Sequence, residues 1–211
     1  MTRLIDDLVD ALEPAPVRPA LAVFGAPLAL ASLLPLAVVA FVYGLRPDMG
    51  TAMAGPVFWV KLAVPGIVAA GAGIALARLS RPGAPPGPGL AIAILAMLGL
   101  LAAGLIGLAL LPGELRVPAL MGPSLQKCLV SISVFGVPFL AAGFWAMRRL
   151  APVQPRLAGF ALGLVAGGLA AAVYALSCGE DALAFIASWY QLGMLIVASA
   201  GALIAPRLLR W

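Results

Sequence analysis

The polar positions of this chain come in short clusters separated by long apolar runs. No charge falls between Arg18 and Arg46, and none between Arg81 and Glu114. The runs are continuous rather than alternating and rich in Leu, Ala and Gly, a pattern of helices and not of half-buried strands. A helix that crosses a bilayer needs about 20 apolar residues. Divided at its charged and turn positions, the chain is predicted to form six such helices, over 20–45, 56–78, 89–111, 125–147, 156–177 and 182–205. The expected fold class is therefore all-α, a polytopic membrane helix bundle occupying residues 20–211. A spanning β-barrel would show short alternating strands instead. The stretch "RPGAPPGPG" (Arg81–Gly89) should be a stiff loop between the second and third spans, because its prolines forbid a helix.

Ahead of the first span the period changes. In "TRLIDDLVDALEP", Leu4, Ile5, Leu8, Val9 and Leu12 fall within one arc of about 140° at the helical 100° per residue. Asp6, Asp7, Asp10 and Glu13 take the opposite arc. Thr2 suits an N-cap and Pro14 ends the helix. Residues 1–19 thus read as a short amphipathic helix with a Pro-rich tether. Helices that lie on a membrane usually carry Lys and Arg on the polar face. An acidic face suits a groove of a basic partner protein better. A helix this short is marginal in water, so folding on binding is expected. The same acids remove the basic start of a secretory signal, and no cleavable leader is expected.

Composition supports the bundle and charge orients it. The 211 residues are 64% hydrophobic and 10% charged, with a mean hydropathy of +1.12, more apolar surface than a soluble domain of this size hides. Six spans put both termini on one side, with Arg3, Arg18, Arg78, Arg81, Arg148, Arg149, Arg156, Arg207 and Arg210. The other side holds only Arg46, Lys61, Arg116 and Lys127. Positive charge favours the inside, so both termini are expected in the cytoplasm. Arginines at helix ends account for the net charge of +5 without a nucleic-acid partner. Lys61, in the first turn of the second span, should snorkel to the interface. Tyr43 and Trp59 suit an outer aromatic belt, and Trp145 an inner one.

This orientation puts Cys128 and Cys178, the two cysteines of the chain, on the non-cytoplasmic face. In a bacterium that face is oxidising. A buried cysteine is often no more than a small hydrophobe, but two at one interface suggest paired redox or metal chemistry. Lys127 should favour the Cys128 thiolate, while Glu180 and Asp181 should disfavour that of Cys178. The chain has no histidine, which excludes a Cys/His zinc site and leaves soft metals or thiol chemistry. No resident cofactor is expected. Gly159, Gly163, Gly167 and Ala171 recur every four residues on one face of the fifth span. Such a ladder lets helix backbones pack closely, within one chain by preference and between copies of a homo-oligomer as the second reading. No ionisable residue falls in the middle of a span, where proton-coupled transporters usually have one. No C-x-x-C, P-loop, HExxH or nucleophile elbow occurs, so an enzyme is not expected. A small-molecule or metal transporter and a quinone-linked thiol redox protein stay as alternatives.

Several stretches together resemble one known family. They are "LIDDLVDALEPAPVRP" at the start, "GLRPD" after the first span and "QKCL" opening the fourth. "YALSCGED" closes the fifth, "SWYQLGML" lies in the sixth and "RLLRW" ends the chain. In this order and spacing they are similar to the NrsF-type membrane anti-sigma factors. The resemblance implies a negative regulator that holds an extracytoplasmic-function sigma factor at the bacterial inner membrane. It implies that Leu4, Ile5, Leu8 and Leu12 face that sigma factor. It also implies that Cys128 and Cys178 respond to heavy-metal or oxidative stress from the periplasmic side. Ser177 departs from the family pattern, which often has His before the second cysteine. That weakens a metal-ligand role there and leaves thiol chemistry as the better option.

Overall fold

The computed structural model describes residues 20–209 except 82, 149 and 151. The predicted amphipathic helix, with Leu4, Ile5, Asp6, Asp7, Leu8, Val9, Asp10 and Leu12, lies outside the described residues. Among them every regular element is helical, and six helices are long and apolar enough to cross a membrane. Helix α1 spans Ala20–Val38 and runs into a π turn, Val39–Tyr43. Then come α2 (Met49–Ala54), α3 (Pro56–Leu79), α4 (Pro88–Leu110), α5 (Gly113–Met121), α6 (Leu125–Met147) and α7 (Pro155–Ala175). The last, α8 (Leu183–Leu208), contains a second π turn, Ile186–Tyr190.

The long helices lie within a few residues of the six predicted spans, because the same residues punctuate both. Pro56, Pro88 and Pro155 open α3, α4 and α7. Proline suits a first helical position, where the amide it lacks would have no helical partner. The loop after α3 turns on Gly83 and Gly87, both at positive φ, and the Arg78 side chain reaches across to Pro85 O at 3.1 Å. The short helices α2 and α5 and the two π turns have no counterpart in the sequence prediction. They are too brief to leave a periodic signal.

Helix α7 is the centre of the bundle, packed against α3, α6 and α8. Of its apolar window 72% is buried within the protein, against 17% for the span that contains α1. The cause is the glycine ladder. A methyl group at Gly159 would meet Gly201 O, and one at Gly163 would meet Ala198 Cα and Val197 O. One at Gly167 would lie 2.8 Å from Met194 Cα. Bare backbone is what lets α7 and α8 approach this closely. The neighbouring Gly168 does the same against Pro65 O of α3. The ladder face, where a homo-oligomer was the second reading, is occupied by α8 of the same chain. Six traversals leave Tyr43, Lys61, Cys128 and Cys178 at one end of the bundle and Arg78, Arg148, Arg156 and Arg207 at the other.

Candidate functional site

Cys128 lies in the first turn of α6, its amide donating to Ser124 O at 2.8 Å. Cys178 lies just beyond α7, in the non-helical stretch that leads to α8. They are 0% and 3% exposed, so neither thiol meets solvent directly. Both belong to the buried core cluster at the end of the bundle where α6 begins and α7 ends, and both are free thiols.

Three tyrosines wall this cluster. The π turns end on two of them, Tyr43 and Tyr190. A π turn carries an extra residue, which re-aims the side chains that follow. The Tyr174 ring lies 5.9 Å from that of Tyr190 and 6.5 Å, edge-on, from that of Tyr43. Tyr43 also packs on Phe135 at 5.8 Å, and its hydroxyl shares a 3.0 Å hydrogen bond with Ser131 Oγ. Tyr174 lies in the last turn of α7, four residues before Cys178. The buried Tyr190 hydroxyl has no hydrogen-bond partner among the described residues.

Two cations hold the Cys178 segment down. Lys61 is completely buried, and its Nζ donates to Cys178 O and Glu180 O, both at 2.7 Å. It also pairs with Asp181 Oδ1 at 3.5 Å. The expectation that Lys61 snorkels to the interface is therefore wrong. Two carbonyls and a carboxylate satisfy its ammonium more closely than the interface would. Arg46, 4% exposed, follows the end of α1. Its amide donates to Leu176 O at 3.1 Å. Its guanidinium grips both Asp181 oxygens at 3.1 and 2.9 Å, Asp48 at 2.8 and 2.7 Å, and Cys178 O at 3.4 Å. Bidentate Arg–carboxylate pairs are among the stronger charged contacts. Hydrogen bonds from Arg46, and secondarily the Lys61 charge, hold the Asp181 carboxyl below its ordinary range. Arg46 does the same to Asp48, and the two acids in turn raise Arg46. Glu180 Oε1 accepts from Ser124 N–H at 3.3 Å and Ser124 Oγ at 2.9 Å. The Cys178 segment thus caps the helix that begins just before Cys128.

These contacts change the charge picture drawn from sequence. Lys127 does not simply flank Cys128. Its ammonium sits 4.4 Å over the Tyr43 ring, a cation–π contact. Glu180 and Asp181 are engaged by Ser124, Arg46 and Lys61 instead of standing as bare charges beside Cys178. Among the described residues no three His, Cys, Asp or Glu side chains gather into a metal-binding group. A metal held here would have the two thiols as its soft ligands.

Sequence reasoning missed Tyr43, Arg46, Lys61, Ser124, Tyr174 and Tyr190 as members of one site. The signal for the clamp was present. Arg46, Lys61, Glu180 and Asp181 fall at one end of the bundle, two of each sign, but the cations served only for orientation and the acids only for the charge near Cys178. The tyrosines left no comparable signal, because their convergence depends on the two π turns.

The chain matches the family model NrsF, described as negative regulator of sigma F, over residues 8–211. It is 39% identical to the anti-sigma-F factor NrsF of Caulobacter vibrioides (strain NA1000 / CB15N), over 98% of this chain and 99% of that protein. It is 42% identical to the probable anti-sigma-F factor NrsF of Azospira oryzae, over 86% of this chain and 83% of that one. No solved structure matches.

Proposed function

This chain belongs to the NrsF family of negative regulators of sigma F, a regulatory and not an enzymatic role, and we propose that it is an inner-membrane anti-sigma factor of the extracytoplasmic-function type. Residues 1–19 hold the sigma factor on the cytoplasmic side through the apolar stripe Leu4, Ile5, Leu8, Val9 and Leu12, with Asp6, Asp7 and Asp10 facing basic surface on the partner. Cys128 and Cys178 face the periplasm and sense oxidants or soft heavy metals. Oxidation would join the two thiols as a disulfide, giving up two protons and passing two electrons to the oxidant. A soft metal would displace the same protons.

The observation that supports this reading is that both cysteines are buried at the same end of the bundle, on segments joined by the Ser124–Glu180 hydrogen bonds. They lie 50 residues apart in sequence, on different elements, and a disulfide needs Cα atoms within about 7 Å of each other. The charged segment above them is the seal, and Gly179 at its crest is exposed. The transporter and quinone-linked readings have no comparable support.

The test is co-purification of the full-length protein with its sigma factor from co-expressing cells. The wild-type protein should retain the sigma factor, and a variant lacking residues 2–19 should not. After cadmium or a thiol oxidant, wild-type should release it and C128S/C178S should keep it. Sigma factor retained by the truncated variant would overturn the docking half. Equal release from C128S/C178S would overturn the sensing half.

A further inference from the structure

The proposed function leaves a gap between the cysteines, carried by α6 and the segment after α7, and the amino-terminal segment, which is joined to α1. We propose that the outer end of α1, Tyr43 to Asp48, is the coupling element, and that Arg46 and Lys61 are its positioning residues. The inference rests on the reading that residues 1–19 bind a sigma factor and that the cysteine cluster responds to stress.

Three observations point to this segment. First, α1 is the least buried of the six spans, and Leu30, Leu33, Leu34 and Phe41 are all exposed along it. Its main long-helix neighbour is α6, with a lesser contact to α7. Second, its end is gripped by both cysteine-bearing elements at once. From α6, Ser131 bonds the Tyr43 hydroxyl and Lys127 covers the Tyr43 ring, flanking Cys128 in sequence on either side. From the Cys178 segment, Leu176 O, Cys178 O and Asp181 take the amide and guanidinium of Arg46. Third, the π turn Val39–Tyr43 lies just inside this grip. A π turn can revert to α-helix by passing its extra residue onward, which rotates everything beyond it. Helix shifts of this kind are common switching motions.

The clamp therefore ties the position of α1 to that of the Cys178 carbonyl. Any change at Cys178 that moves its backbone takes away acceptors of both Arg46 and Lys61. The end of α1 is then released, the π turn is free to relax, and the shift passes along the least buried of the six spans. Lys61 anchors the segment to α3, which packs on the rigid α7, so in the resting state the clamp has a fixed side.

The coupling lies downstream of the cysteines, and this gives it a test that a merely structural role would not pass. The full-length protein is co-expressed with its sigma factor, and the fraction of sigma factor retained is measured without stress. Arg46→Gln should lower the retained fraction at least tenfold. It should do so equally in the C128S/C178S background, where stress no longer releases the sigma factor. Arg46→Lys should restore part of the retention. Asp181→Asn removes one acceptor while leaving Asp48 and Cys178 O to Arg46. It should lower retention about threefold with a melting temperature near wild-type, and speed hydrogen exchange at residues 44–49. That variant decides the matter if Arg46→Gln does not fold. Full retention by folded Asp181→Asn or Arg46→Gln would overturn the proposal. So would rescue of Arg46→Gln by C128S/C178S. If wild-type and the 2–19 deletion carry sigma factor equally, the docking reading has failed, which is a separate result.

Discussion

Helices α7 and α1 belong to one bundle but are held in different ways. Helix α7 is fixed along its length by backbone contacts, and its Gly159, Gly163 and Gly167 leave α8 no room to move. Helix α1 packs on α6 through one face, with Phe24 and Val39 in the core, and beyond its end polar contacts converge on Tyr43 and Arg46. Close packing resists displacement along its whole length, and even a small change of volume is felt there. A cluster of directed hydrogen bonds gives way at a point, since one displaced carbonyl removes several at once. Under the proposed function, α7 would be the rigid reference and α1 the element that responds. The Cys178 segment lies between them, following α7 in sequence and bonded to the end of α1.

The contrast can be broken most severely at the ladder. Gly163→Leu places atoms where Ala198 Cα and Val197 O already sit. It should destabilise the protein by more than about 3 kcal/mol, since backbone yields less readily than side chain. Thermal melting in detergent would show a collapse, and a wild-type curve would mean that α7 and α8 are not locked. Next in size is Leu162→Ala, also in α7 and fully buried, with an expected loss of about 2–4 kcal/mol.

Lys61→Met asks how much the clamp itself contributes. It leaves Glu180 O without its Lys61 donor and Cys178 O with only the longer Arg46 contact, at an expected cost of about 1–3 kcal/mol. The loss should appear in hydrogen exchange at residues 176–182 before it appears in the global melt. Acid gives a milder perturbation. Asp181 and Asp48 titrate below their ordinary value of 3.8 because Arg46 holds their charged forms. A carboxylate with a lowered value stabilises the fold above its unfolded value, and that contribution is lost as pH falls through the folded one. Melting temperature should therefore not change between pH 7 and 5 on account of the clamp. It should begin to fall below about pH 4, and less so in Arg46→Gln. The smallest effect belongs to α1 itself. Leu33 is 61% exposed on its outer face, and Leu33→Ala should change stability by less than about 0.5 kcal/mol. A loss as large as that of Leu162→Ala would show that α1 is not loosely held.

The positions of the six spans were legible because a bilayer demands long apolar runs, and only charged and turn residues interrupt them. The ladder was legible as a face, since a spacing of four residues needs only helix geometry. The cysteines were legible at one end of the bundle, because the parity of six spans puts the start of the fourth and the end of the fifth together. What lies between these elements was not. Lys61 looked like a snorkelling interfacial residue because its sequence neighbours are apolar. Its carbonyl partners come from a segment 117 to 119 residues away. Tyr190 looked like part of a plain helix until a π turn set its ring beside that of Tyr174.

The sequence by itself thus determined the class of solvent, the number of crossings and the grouping of charges by end. Each of these follows from local composition and a helical period. Only the tertiary structure decided which cation meets which acid, which face of α7 meets α8, and that the end of α1 rests on both cysteine-bearing elements. These depend on distances between residues far apart in the chain, set by how closely backbones can approach and where each buried polar group finds its partner.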